Sequence, residues 1–472
     1  MSVWPSPSPA RHQWLPTVDF SSMSLSVRRF DSRRALWLGC LICVLIGQGI
    51  AITQSYLWAA PLLCLLLVAL ATNVPLVPSL GLLLLVRILT DNLAGGDSRH
   101  SSSVNLSAAI AGLYILLAVG LLLRHHRAVG PAIVAALWLS VWTIVATKSH
   151  GASTLTVREG VREASIVALA VIVFNSQGRL TVPLVTRLIQ LAGIASGLVA
   201  LYQLATHGGQ LVGGQMRSNG TFSQPNDAAV FFALATMVSV WRYVNCGRRW
   251  LDACFATIFA AAAISTFSLG GLACLLAMLV AFGLLRPGSA RLKLGFCAVA
   301  VLIVAAFLAT PLGAERLASE SSTNLSAAGG HGQSETSLGW RFFKWRTLLP
   351  EWEAAPLMGQ GLGTTITSEG NANDRSAGLA PHNEPLRYLV ETGAVGVATL
   401  FLALVYLLRR LARRRRLPGT SEVGTLGMAI VLGLLVNAIA ANTLLYTPAV
   451  YAAALTVAAV LASPIPHRTH AP

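Results

Sequence analysis

Three short polar stretches in this chain have residue types that could perform group transfer together. The first is Arg217 to Asn226, RSNGTFSQPN. The second is Arg341 with Lys344 and Arg346. The third is His382 with Asn383 and Glu384, followed by Glu391. A guanidinium binds phosphate bidentately and stays charged, so two separated arginines can grip a diphosphate. An imidazole can accept a proton from an attacking hydroxyl near neutral pH. That chemistry is transfer from a diphosphate-activated lipid, with His382 as base, Arg217 and Arg341 on the phosphates, and Lys344 and Arg346 as alternative contacts. Asn226, Asn383, Glu384 and Glu391 are candidate supporting residues. Each cluster alone has a plainer reading. Arg217 could pair with lipid headgroups, Arg341 could snorkel, and His382 could simply mark the end of a membrane helix.

The elements that must position these groups are set by composition. The chain has 472 residues, of which 54% are hydrophobic and 11% charged. Soluble domains carry about 25% charged residues. With repeated apolar runs of membrane length, the expectation is an all-α, polytopic integral membrane protein. Short alternating segments of a β-barrel are not seen. Apolar segments are read near 35–53, 56–72, 74–90, 104–123, 129–147, 163–178, 183–205, 226–244, 250–267, 269–285, 292–311, 386–408, 424–442 and 445–462. The second and third could form one re-entrant pair, so 12 to 14 helices are expected.

The net charge of +16 comes from basic residues in short loops, which points to topology and not to nucleic acid. Arg28, Arg29, Arg33 and Arg34 precede the first segment, Arg286 and Arg291 follow the tenth, and Arg413 to Arg416 follow the twelfth. With fourteen segments these share one side, expected to be cytoplasmic. The loop 148–162 is basic on the other side, a mild exception. The long loop 312–384 falls on that outer side. It carries five basic residues, Arg316, Arg341, Lys344, Arg346 and Arg375, against eight acidic ones that include Glu320. Within it, Trp340 to Trp352 has helical spacing, with Arg341, Trp345, Leu348 and Trp352 on one face. That density of Trp suits a short helix in the membrane interface. Residues 1–34 read as a disordered basic cytoplasmic tail, 35–205 as N-terminal transmembrane helices, 206–408 as the catalytic region, and 409–472 as C-terminal helices with a short tail.

The order and spacing of the clusters resemble the O-antigen ligase and O-antigen polymerase family. The resemblance rests on RSNGTFSQPN at 217–226, Arg341 followed by Trp345, PLMGQGLG at 356–363, and PHNEPLRYLVETGAVG at 381–396. It implies a multi-pass protein of the bacterial inner (plasma) membrane with its active site on the extracytoplasmic face. The donor it implies is a polyprenyl-diphosphate-linked glycan such as an undecaprenyl diphosphate carrier, and the acceptor is a glycan, lipid or protein hydroxyl. It also implies phosphate contacts for Arg217 and Arg341 and the base role for His382. One departure is that Ser265 to Gly271, STFSLGG, lacks an arginine that relatives often carry there. Ligase and polymerase share these motifs, so the acceptor stays open.

The remaining motifs are weaker. PLMGQGLG has alternating glycines, but no predicted strand precedes it, and it reads as a tight turn closing the loop against the membrane. Arg87 and Asp91 read as an interface salt bridge, and Asn437 and Asn442 as helix-packing residues. The seven cysteines lie in or beside apolar runs and show no ligand spacing. A diphosphate is already a good leaving group, so the reaction as read needs no metal or cofactor. A transporter or flippase is the alternative class. It needs ionisable groups at mid-membrane, whereas here charge gathers at the helix ends.

Overall fold

The computed structural model describes residues 76–91, 106–125, 154–176, 178–212, 214–247, 249–321, 337–367 and 380–464. The expected segments near 35–53, 56–72 and 129–147 and the tail 1–34 lie outside the described residues. The described chain is helical, with one small hairpin. Its helices are α1 Leu76–Leu89, α2 Leu106–His125, α3 Thr154–Asn175, α4 Val182–Ala205, α5 Pro225–Asn245, α6 Trp250–Ser265 and α7 Leu269–Leu285. They continue with α8 Ala290–Leu308, α9 Pro311–Ser321, α10 Ser337–Ala354, α11 Thr364–Thr367, α12 Glu384–Arg416, α13 Ser421–Ala440 and α14 Thr447–Ala462. A 3-10 turn, Thr443–Leu445, joins the last two. Five of these are long and apolar enough to cross a membrane: α4, α5, α8, α12 and α13. Five more are apolar and shorter.

Helix α5 is central. Its residues from Ala228 to Ala235 are fully buried, and it packs against α4, α6, α7, α13 and α14. Phe222, Phe231, Phe232 and Phe259 stack edge and face beside it. A helix apolar on every side has no solvent face, so it belongs in the middle of the bundle. Prolines in the first turn open α4, α5, α12 and α14, where a missing amide proton costs nothing.

The bundle has two chemically distinct ends. At one, Arg286 pairs with Glu422 at 3.2 Å. At the same end Arg414 donates to the carbonyls of Leu461 and Ser463, and Arg415 donates to that of Leu285. At the other end lie the starts of α5, α7, α12 and α14 and the ends of α6 and α13. All three polar clusters of the sequence are there.

Helix α12 corrects the sequence reading of an unbroken apolar run. Gly393 has φ 65 and ψ −174, so the helix is interrupted within its third turn. The gap is filled by the PLMGQGLG turn. Gln360 and Gly361 donate backbone amides to the carbonyls of Val390 and Glu391, and Ala394 and Val395 donate to those of Pro356 and Leu357. A β-carbon on Gly359 would lie 2.5 Å from the Glu391 carbonyl carbon, and one on Gly393 would lie 2.2 Å from the Leu357 oxygen. Two glycines therefore let the turn seat directly on the broken helix. This turn closes the loop against α12.

Candidate functional site

The hairpin β1 Gln210–Val212 and β2 Gln215–Arg217 pairs antiparallel and ends on Arg217. That side chain turns inward and is buried. Its Nε donates to the Thr266 carbonyl at 2.8 Å, and a terminal nitrogen donates to Asn226 Oδ1 at 3.0 Å. Ser268 Oγ donates to the same Asn226 oxygen at 2.8 Å. So the arginine-free stretch STFSLGG holds Arg217 through its backbone and caps α7 through Ser268. The rest of the RSNGTFSQPN loop is tied down as well. Gln203 accepts from the amides of Asn219 and Gly220. Asp91 accepts from the amide and hydroxyl of Ser223. Arg87 and Asp91 form the expected ion pair at 2.5 Å, and through Ser223 that pair also anchors the site loop.

Arg217, Asn226 and Ser268 line a cavity of about 150 Å³ together with Arg316, Glu320, Arg341 and Asn437. That is space enough for a small anionic group such as a phosphate. Arg217 comes from β2, Arg316 from α9, and Arg341 from α10. Burial lowers the Arg217 pKa to about 10, and the positive charges of Arg316 and Arg341 contribute. It stays protonated at neutral pH. Arg341 is likewise lowered, chiefly by burial. A pocket crowded with guanidinium charge favours an anion.

His382 stands beside this cavity at the start of α12, with φ 52. Trp340 meets its ring edge to face at 5.5 Å. Nδ1 is buried and has no hydrogen-bond partner among the described residues. Burial, and then the charge of Arg341, pull the imidazole down to about 3. The ring is thus neutral. Next to it, the Asn383 side chain caps α12 by accepting from the Leu386 amide at 2.9 Å, and the Asn383 amide donates to Asn442 Oδ1.

Glu384 and Glu391 take a different part from the one sequence suggests. Both bind Arg387, which is fully buried: Nε to Glu384 at 2.8 Å and a terminal nitrogen to Glu391 at 3.1 Å. Glu159 and Glu163 of α3 approach the same guanidinium at 3.9 and 3.8 Å. Tyr388 donates to Glu163 at 2.7 Å, and Glu384 accepts from the Leu444 amide. This knot binds α3, α12 and the 3-10 turn just behind His382.

The cavity therefore unites Arg217, Asn226 and Arg341, with His382 adjacent. It does not include Arg346 or Lys344. Arg346 is exposed, and Lys344 is buried on α10 away from the cavity lining. Sequence reasoning gave no role to Arg316, Glu320 or Arg387. Asn437 and Asn442 do more than pack helices: one lines the cavity, donating also to Thr443 Oγ, and the other holds the Asn383 amide. Signals for these were weak. Polar residues at helix ends next to the motif loops were visible, but nothing in their spacing assigns a partner.

Comparison with known proteins agrees with the motif reading. Residues 254–401 match the family model described as O-antigen ligase. The matched stretch contains Arg316, Arg341, His382, Glu384 and Glu391. Arg217 and Asn226 precede it, and the fold carries them into the same cavity. No curated protein matches the chain.

Proposed function

We propose that this multi-pass membrane protein, which resembles the O-antigen ligase family of glycan-processing enzymes over 254–401, transfers a glycan from a polyprenyl diphosphate to an acceptor hydroxyl. The observation that carries the reading is the convergence of Arg217 and Arg341 on one small cavity with a neutral imidazole beside it. His382 takes the proton of the acceptor hydroxyl. The freed oxygen forms a bond to the anomeric carbon as the bond from that carbon to the diphosphate oxygen breaks. The leaving diphosphate keeps the electron pair, and Arg217 and Arg341 stabilise its growing charge. A single displacement inverts the anomeric centre. A product of retained configuration would sink this one-step scheme. The acceptor is read as a different molecule, as in a ligase, with a second copy of the repeat unit as the polymerase alternative.

The extracytoplasmic face is proposed for the site from charge. Arg286, Arg291 and Arg413 to Arg416 crowd the opposite helix ends, which the positive-inside rule assigns to the cytoplasm. The setting proposed for this reaction is the plasma membrane of a bacterium.

The test is transfer in proteoliposomes from a polyprenyl-diphosphate glycan, with EDTA present, comparing wild type with His382→Ala and Arg217→Ala. Loss of transfer in both folded variants supports the assignment. Full transfer in both refutes it. Wild type that moves the lipid-linked glycan across the bilayer without transferring it would make the protein a transporter.

A further inference from the structure

The cavity holds a cation that the phosphate grip described above does not use. Arg316 lines it with Arg217 and Arg341, so three guanidiniums from three elements face one small space. Glu320, one turn along α9, lies 3.2 Å from Arg316, and both side chains are largely buried. The other Glu320 oxygen accepts from the Leu338 amide of α10 at 2.8 Å. Arg316 and Arg341 also have unspent donors: the Nε of each is buried without a hydrogen-bond partner among the described residues. Buried guanidinium donors are expensive to leave unmade, so a rotation that turns these side chains onto an acceptor in the cavity they line is favoured. The lining groups Arg217, Arg316, Arg341 and Glu320 carry a net charge of about +2, which a diphosphate diester, a dianion, neutralises.

We infer that Arg316 is a third guanidinium of the diphosphate site, and that Glu320 is the internal counter-ion which the diphosphate replaces on it. The inference rests on the reading of the cavity as a diphosphate site. In the absence of donor, Glu320 holds Arg316 and bridges it to α10. With donor bound, Arg316 turns its donors to a phosphate oxygen while Glu320 keeps its bond to the Leu338 amide.

The experiment measures binding of inorganic pyrophosphate, orthophosphate and phosphatidylglycerol to the full chain in nonionic detergent, by calorimetry, at fixed ionic strength. Wild type should bind pyrophosphate in preference to the two monophosphates. Arg316→Gln should weaken pyrophosphate by about tenfold or more, the worth of a charge-assisted hydrogen bond. Arg316→Lys should keep part of the affinity, as a point charge without the fork. Glu320→Gln should bind pyrophosphate several-fold more tightly, and that gain should vanish in Arg316→Gln/Glu320→Gln. If Arg316→Gln, with an unchanged unfolding temperature, binds as wild type while Arg217→Gln does not, the role of Arg316 is overturned and the site stands. If Arg217→Gln also binds as wild type, the cavity is not the diphosphate site and the reading beneath fails. A gain for Glu320→Gln that persists in the double variant overturns the counter-ion role. Equal binding of phosphatidylglycerol assigns the arginines to a headgroup instead.

Discussion

Trp345 donates its indole N–H to the carbonyl of Pro381 at 2.7 Å, so helix α10 grips the backbone immediately before His382. The same helix carries Arg341 into the cavity and sets Trp340 against the imidazole ring. Base and phosphate contact are therefore indexed to each other through one rigid element, which is what preorganised catalysis needs. Trp345→Phe keeps the ring and loses the bond, at a net cost of about 1 kcal/mol in stability. Its effect on transfer should be larger, a fall in kcat of roughly tenfold with little change in KM, since misplaced geometry costs rate steeply. Steady-state kinetics in proteoliposomes check this. A kcat equal to wild type would show that the bond does not position the base.

Acid sensitivity follows from the depressed His382. Folded, the imidazole stays neutral down to about pH 3. Unfolded, it takes a proton near 6.5. Protonation thus favours the unfolded chain. The contribution of neutral His382 to stability is complete above pH 6.5 and is lost progressively as pH falls from 6.5 toward 3. Unfolding temperatures of wild type should fall across that window more than those of His382→Phe. In activity, the acidic limb of kcat/KM should lie well below 6.5. Bound diphosphate offsets the charge of Arg341, so the limb of kcat should lie at a higher pH than that of kcat/KM. Coincident limbs at 6.5 would mean a solvated imidazole.

Arg387 is the residue whose loss should hurt folding most. Its guanidinium faces Glu384 and Glu391 directly and Glu159 and Glu163 at longer range, all buried or nearly so. Removing one partner of a buried ion network strands the others, at about 3–5 kcal/mol. Arg387→Met should unfold early or express poorly. Adding Glu384→Gln and Glu391→Gln should recover much of the unfolding temperature, because the two carboxylates that bind Arg387 directly are neutralised. Failure of the triple variant to recover would mean that packing of the long side chain, and not charge, sets the cost.

Arg341 and Arg346 make a matched pair for testing the site. They lie five positions apart on α10, but only Arg341 reaches the cavity. Arg341→Ala should lower transfer by about 10²-fold or more, comparable to removing one oxyanion donor. Arg346→Ala, at an exposed position, should transfer at close to the wild-type rate. The reverse order would place the donor on the other face of α10.

Much of the bundle was legible beforehand, because burial in a bilayer needs long apolar runs and leaves them plain. The run read at 269–285 is helix α7 to the residue, and that read at 250–267 ends two positions late because Thr266 and Phe267 turn toward the hairpin. Arg217, Arg341 and His382, the residues proposed to carry the chemistry, came from motif order. What stayed hidden depends on contacts distant in sequence. The partner of Arg316 is local, yet its place beside Arg217 is set by how α9 packs back over the helix ends. The loop 148–162 reads in sequence only as a basic exception, whereas its Glu159, with Glu163 just beyond it, reaches the Arg387 knot. Gly393 sits in an apolar run that a helix tolerates, and only the seat of Gly359 against it dictates the break. A Gly393→Ala change should confirm this by lowering the unfolding temperature, at a cost of roughly 1–3 kcal/mol for a residue forced into a backbone region that essentially only glycine adopts, plus the displaced turn.

The break in α12 also bears on how this site can change over time. The turn carrying Glu391, on the helix that begins just after His382, is fixed to the 356–361 segment by amide-to-carbonyl bonds. Such bonds are indifferent to side-chain identity. Residues of the long loop can therefore drift to suit new acceptors while the histidine keeps its bearing, provided the two glycines remain. Evolvability of the acceptor side and constancy of the chemical step are thereby assigned to different atoms of the same segment.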